Sequence, residues 1–102
     1  MAKWRFLTNH AMVLIHVANH PRSTLRDIAM AVGITERAAL SILRAMEEDD
    51  IVSRKREGRR NKYWVDFRAL LEYSPGGPFS IAELVGALTW IATEMQSVQR
   101  VG

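Results

Sequence analysis

Cysteine is missing from all 102 residues. That absence removes disulfides, thiolate metal sites and cysteine nucleophiles together, and it is compatible with a reducing compartment. Long apolar runs are missing too. The longest clean one is Ala11-Met12-Val13-Leu14-Ile15, ended by His16, whereas a membrane span takes about 20 apolar residues. Lys3 and Arg5 lie near the start, but no apolar stretch of signal-peptide length follows them. A cytoplasmic protein with no membrane partner is expected. There is no internal repeat, no low-complexity tract, no paired carboxylates, no nucleophile elbow and no phosphate-cradling glycine loop. The chain therefore does not read as an enzyme, and no cofactor is expected. His16 and His20 stand four apart, a ligand-capable spacing on a helix, but only His10 and distant carboxylates offer a third ligand. No metal site is expected.

Apolar residues make up 48% of the chain, enough for the core of one ordinary domain. A chain this short gains from a partner subunit. Net charge is only +3, but its distribution is uneven. Between Arg54 and Lys62 six cations (Arg54, Lys55, Arg56, Arg59, Arg60, Lys62) accompany one anion, Glu57, a local charge of +5. The rest of the chain then carries −2. A basic cluster on a slightly acidic body points to a defined polyanion site.

Hydrophobic spacing predicts a first helix over residues 8–19. Leu7, Ala11, Leu14, Ile15 and Ala18 form its main stripe and Met12, Val13 and Val17 a second apolar side. Asn19-His20-Pro21 ends it, because proline cannot continue the ladder. A second helix over 25–32 is capped by Thr24 with Asp27 as its capping-box partner, and buries Leu25, Ile28, Ala29 and Val32. A third over 36–48 has Thr35 as N-cap and the stripe Ala39, Ile42, Leu43, Met46. The link Gly33-Ile34-Thr35 gives a left-handed C-cap and an apolar plug. Residues 51–56 and 62–66 pair as a hairpin around Glu57-Gly58-Arg59-Arg60-Asn61, with Gly58 and Asn61 available for positive φ. Residues 67–73 suit a short helix. After the loop Ser74-Pro75-Gly76-Gly77-Pro78, a last helix over 81–96 starts at a Ser80/Glu83 capping box. Its stripe is Ile81, Leu84, Val85, Leu88, Ile91, Ala92, Met95 and Val98. Trp4, Trp64 and Trp90 suit a core or an interface better than a cofactor cage.

Helix, helix, helix, hairpin, helix is a mainly α architecture with a small β-hairpin. Two short helices joined by a three-residue glycine turn describe a helix-turn-helix, and the basic hairpin after them is its wing. Residues 1–73 make up the winged unit. Residues 74–102 add a loop and a C-terminal dimerisation helix to the same compact domain.

The stretch 24–66 resembles the winged helix domains of small bacterial regulators of the MarR and ArsR type. Four pieces carry the likeness: Thr24-Leu25-Arg26-Asp27-Ile28-Ala29, Val32-Gly33-Ile34-Thr35-Glu36-Arg37-Ala38, Ile42-Leu43-Arg44-Ala45-Met46-Glu47-Glu48 and Arg56-Glu57-Gly58-Arg59-Arg60-Asn61-Lys62-Tyr63. The likeness covers some two-fifths of the chain. It implies a homodimer that docks its third helix in successive major grooves of double-stranded DNA. Leu40 and Ser41 stand where such proteins often carry polar residues. The acidic Glu48-Asp49-Asp50 replaces a glycine-containing turn, and the cysteines of ArsR-type metal sensing are absent.

With one side of the third helix committed to the core, the other presents Thr35, Glu36, Arg37, Ala38, Leu40, Ser41 and Arg44. Arg37, in the first turn, suits guanine, and Ala38 and the Thr35 methyl suit thymine methyls. Arg44 suits a phosphate, as do Thr24 and the amides at the start of the second helix. Arg59 and Arg60 at the hairpin tip suit a minor groove, flanked by Arg54, Arg56, Asn61 and Lys62. Leu84, Leu88, Ile91 and Met95 are the expected dimer seam. A space between the first and last helices would admit a small apolar effector without requiring one. Two other readings share this fold: a protein-interaction module, which Leu40 and Ser41 favour and the basic hairpin opposes, and an RNA-binding winged domain.

Overall fold

The computed structural model describes residues 5–74 and 76–101. The chain divides into two compact units, Met1–Asp66 and Phe67–Gly102.

The first unit contains α1 (Asn9–Asn19), α2 (Leu25–Val32), α3 (Glu36–Glu48) and an antiparallel pair, β1 (Val52–Glu57) and β2 (Arg60–Val65). Its helices start where side-chain oxygens meet the orphan N–H groups of a first turn. Thr8 Oγ1 accepts from the Ala11 N–H at 3.2 Å and Thr35 Oγ1 from the Ala38 N–H at 3.0 Å. Thr24 and Asp27 close a reciprocal capping box, both bonds at 3.1 Å. α2 ends at Gly33, whose φ of +81° lets the Gly33 and Ile34 N–H groups both reach the Ala29 carbonyl. That geometry turns the chain sharply into α3.

Of the expected α2 and α3 stripes, Ile28, Ala29, Ala39, Ile42, Leu43 and Met46 are buried, while Leu25 and Val32 are only half-buried. The α1 stripe lies otherwise. Val13 and Val17, assigned to the second side, are sealed in the core, while Leu7 is exposed and Ile15 is 47% exposed. α1 packs against α2, α3 and β2, and one helix face must meet all three. Because α1 is apolar nearly all round, its spacing could not select that face. Ile51, Val52 and Tyr63 complete the core from the hairpin.

The hairpin turn is tighter than expected. β1 and β2 run to Glu57 and from Arg60, leaving a two-residue turn, Gly58-Arg59. Gly58 takes φ +61°, whereas Asn61 sits in the strand opposite Arg56. The α3–β1 connection uses Asp50 at φ +59° in the role glycine usually fills, with the Ile51 N–H donating to the Met46 carbonyl at 3.0 Å.

The second unit contains α4 (Phe67–Glu72) and α5 (Ile81–Val101). α5 runs further than the predicted 81–96. Ser80 and Glu83 form the expected box at its start. Ser74 Oγ bonds the Gly77 and Phe79 carbonyls, holding the loop between the two helices. Trp64 and Trp90 are not core residues, being 41% and 66% exposed. Trp4, Pro75 and the Val98 side chain lie outside the described residues.

Candidate nucleic-acid interface

The buried stripe of α3 fixes what its other side presents. Thr35, Arg37, Ser41 and Arg44 are exposed there, and Ala38 and Leu40 are half-buried. Among the described residues neither Arg37 nor Arg44 has an ion-pair partner. The i,i+4 spacing of Arg44 and Glu48 thus goes unused, and both guanidinium groups remain available. Thr35 Oγ1 accepts from Ala38, so its hydroxyl proton is still free to donate. Thr24 differs, because its Oγ1 accepts from the Asp27 N–H while its side chain also stabilises the Asp27 carboxylate. The Asp27 carboxyl is held below its ordinary range, chiefly by the Thr24 backbone N–H and next by the Thr24 side chain. A negative charge therefore already sits at the start of α2, leaving the Leu25 and Arg26 amides ahead of the first intrahelical bond.

The ladder pairs Arg54 with Tyr63, Lys55 with Lys62, Arg56 with Asn61 and Glu57 with Arg60. Strand alternation puts Lys55, Lys62, Arg60 and Trp64 on one face and Arg54, Arg56 and Asn61 on the other. Lys55 directly opposite Lys62 is a like-charge pair, which costs a hairpin stability. Lys62 Nζ lies 5.0 Å from the Trp64 ring centroid, a cation–π contact that fixes its stem.

The cations differ in freedom. Arg54 Nε pairs with Glu47 Oε1 at 3.4 Å, tying the wing to α3. Arg60 Nη1 donates to the Arg22 carbonyl at 3.4 Å, and the Tyr63 N–H donates to the Pro21 carbonyl at 2.8 Å. The α1–α2 loop thereby lies along the outer edge of β2. Arg56 and Arg59 are exposed. Sequence reasoning missed Arg22, whose Nε donates to Glu57 Oε2 at 3.2 Å. Its signal was only its place just before the α2 capping box.

Residues 8–53 match the family model of winged helix-turn-helix DNA-binding domains. The first unit thus has the winged helix-turn-helix fold. The match takes in all three helices and ends inside β1, and the family is a DNA-binding one, not an enzyme family. No curated protein matches the chain in sequence.

Several solved structures share the winged helix fold. MepR, a transcription regulator of the Staphylococcus aureus multidrug efflux pump MepA, is 22% identical with a TM-score of 0.57; the alignment covers 90% of this chain and 62% of that one. The S. aureus MepR–DNA complex is 20% identical at TM-score 0.57, covering 93% and 71%. S. aureus MepR bound to ethidium bromide is 20% identical at TM-score 0.59, covering 97% and 66%. This winged helix chain thus spans less than two thirds of the first MepR chain. No helix of the described residues is long and apolar enough to cross a membrane. Among them no group of three or more His, Asp or Glu is arranged to hold a metal ion.

Proposed function

We propose that this winged helix protein is a sequence-specific double-stranded DNA-binding transcriptional regulator that acts as a homodimer. The observation that carries the reading is the exposed outer side of α3, with Arg37 and Arg44 unpaired among the described residues. α3 enters the major groove, where Arg37 reads guanine and Ala38 and the Thr35 methyl meet thymine methyls. Ser41 and Arg44 follow along the groove wall, and Thr24 bonds a phosphate. Arg54, Arg56, Arg59, Arg60, Asn61 and Lys62 engage the backbone and the adjoining minor groove. The Lys55/Lys62 pair supports this reading, because a polyanion offsets the repulsion that the free hairpin carries.

α5 supplies the seam between two copies. Leu84, Leu88, Ile91 and Met95 recur at spacings of four, three and four, and all are exposed in the single chain. That is the period of a helix packed along a partner helix. MepR has been solved both with DNA and with ethidium bromide; by likeness of fold, DNA is the partner here and a small-molecule effector is compatible with it. Cytoplasmic localisation goes with this role.

Selection of binding sites from random duplex DNA tests the proposal. The expected result is an enriched inverted repeat with half-sites about 34–36 Å, one helical turn, apart. Recovery of no preferred sequence would overturn sequence-specific regulation, and preferential capture of RNA would favour the RNA-binding alternative.

A further inference from the structure

Glu57 is the one acid in the basic stretch 54–62, and the fold sets it between two arginines. Arg60 faces it directly across the β-ladder, and Arg22 reaches it from the α1–α2 loop at 3.2 Å. The bond from Arg60 to the Arg22 carbonyl keeps both guanidinium-bearing residues together. One guanidinium on the carboxylate, with a second anchored to the backbone of the first, describes an anion seat whose occupant the chain itself provides. The seat adjoins a concavity of about 370 Å³ lined by Arg22 and Arg60 together with Asp27. Arg22 stands two residues before Thr24, the N-cap of α2, and Arg60 directly follows the wing turn, Gly58-Arg59.

We infer that Arg22 is a further phosphate-binding residue, held by Glu57 in the free protein and released to the DNA backbone on binding; this rests on the DNA-binding reading above. The energetics favour the exchange. The Arg22 and Glu57 side chains are 61% and 41% exposed, and an exposed pair of this kind contributes little. A duplex phosphate offers Arg22 an equivalent charge and adds the entropy of released counterions. Asp27 works against an anion here, but its carboxylate is turned to the Thr24 N–H at 3.1 Å, which meets part of its charge. Glu57 thus sets how strongly the edge between wing and α2 grips any duplex, without touching a base.

The test measures duplex affinity against salt for the intact chain and for R22A, R22K, E57Q and R22A/E57Q. R22A is expected to flatten the log–log salt slope by roughly 0.9, one phosphate, while R22K keeps the slope. E57Q is expected to tighten binding roughly two- to fivefold, and that gain is expected to vanish in the R22A background. A wild-type slope in R22A, or equal slope losses in R22A and R22K, overturns the inference. So does an E57Q gain that persists without Arg22, which is plain relief of repulsion. These outcomes leave DNA binding itself standing, whereas a wild-type chain that binds no duplex overturns both readings.

Discussion

His16 Nε2 lies 2.9 Å from Ser23 Oγ, and that hydroxyl gives its single proton to the His20 carbonyl at 2.8 Å. His16 Nε2 must therefore carry the hydrogen in this bond, so a second proton goes to Nδ1. Burial opposes that proton most, the His20 ring 4.9 Å away opposes it next, and Asp27 favours it. The net effect holds His16 below its ordinary value of 6.5. The native state then binds this proton less readily than the unfolded chain does, so unfolding takes one up. The stability His16 contributes is complete above about pH 6.5 and falls as pH drops through the native value. Urea unfolding between pH 5 and 8 is expected to show this decline, and His16→Gln is expected to flatten it. An unchanged slope in the variant would remove His16 as its source.

Asp50 holds a left-handed conformation, φ +59°, at the turn from α3 into β1. A side chain at such a position pays in strain what glycine does not. Asp50→Gly is expected to raise stability by about 0.5–1 kcal/mol, and a β-branched residue such as Val to lower it by more. Chemical denaturation of the two variants measures both signs. A destabilised glycine variant would mean that the Asp50 side chain makes a compensating bond.

What was legible in the sequence was local. Thr24, Asp27, Gly33 and Thr35 act on neighbours three to five residues away, so α2, its turn and α3 could be read from spacing alone. Long-range choices were not legible. Val13 and Val17, rather than Leu7 and Ile15, face the core because three other elements meet α1 on that side. Arg22 meets Glu57 across 35 positions of sequence, which no periodicity reports. The wing turn was read too long because Arg60 and Asn61 look like turn residues, while the twist of a two-residue hairpin needs positive φ only where Gly58 supplies it. Asp50 likewise conceals a glycine-type turn behind an acidic run.

Arg59 and Arg60 adjoin at the wing tip but differ in what else they hold. Arg59 is exposed in the turn, whereas Arg60 also donates to the Arg22 carbonyl. Arg59→Ala is expected to weaken binding to every duplex and flatten the salt slope by roughly 0.9, with no change in the unfolding midpoint. Arg60→Ala is expected to do both and to loosen the loop that lines β2. Salt titrations beside thermal melts separate the two, and identical profiles would show that the Arg60 bond carries no structural weight.

Arg37 and Arg44 lie two turns apart on the exposed side of α3, so they are expected to fail differently. Arg37→Ala is expected to relax sequence preference at one position of the half-site, by about 1–3 kcal/mol of discrimination. Arg44→Ala is expected to weaken all duplexes alike and reduce the salt slope by roughly 0.9. Binding to a panel of single-base variants reads both. A uniform loss in the Arg37 variant would make it a phosphate contact and shift base reading to the other residues of α3.

Leu88 and Ile91 are each 49% exposed at the middle of the α5 stripe. Covering such a side chain fully is worth about 1.5–3 kcal/mol, and a symmetric seam counts each residue twice. Two polar replacements, Leu88→Gln and Ile91→Gln, therefore remove four buried side chains from a dimer but none from the core of the first unit. Sedimentation of the double variant is expected to give a monomer whose helical content is retained. The wild type is expected to sediment as a dimer, with a melting temperature that rises with concentration. DNA affinity then follows, because two half-sites read by linked α3 helices bind far more tightly than either alone. A wild-type protein that sediments as a monomer at every concentration would remove α5 as the seam and leave each winged helix to bind its half-site singly.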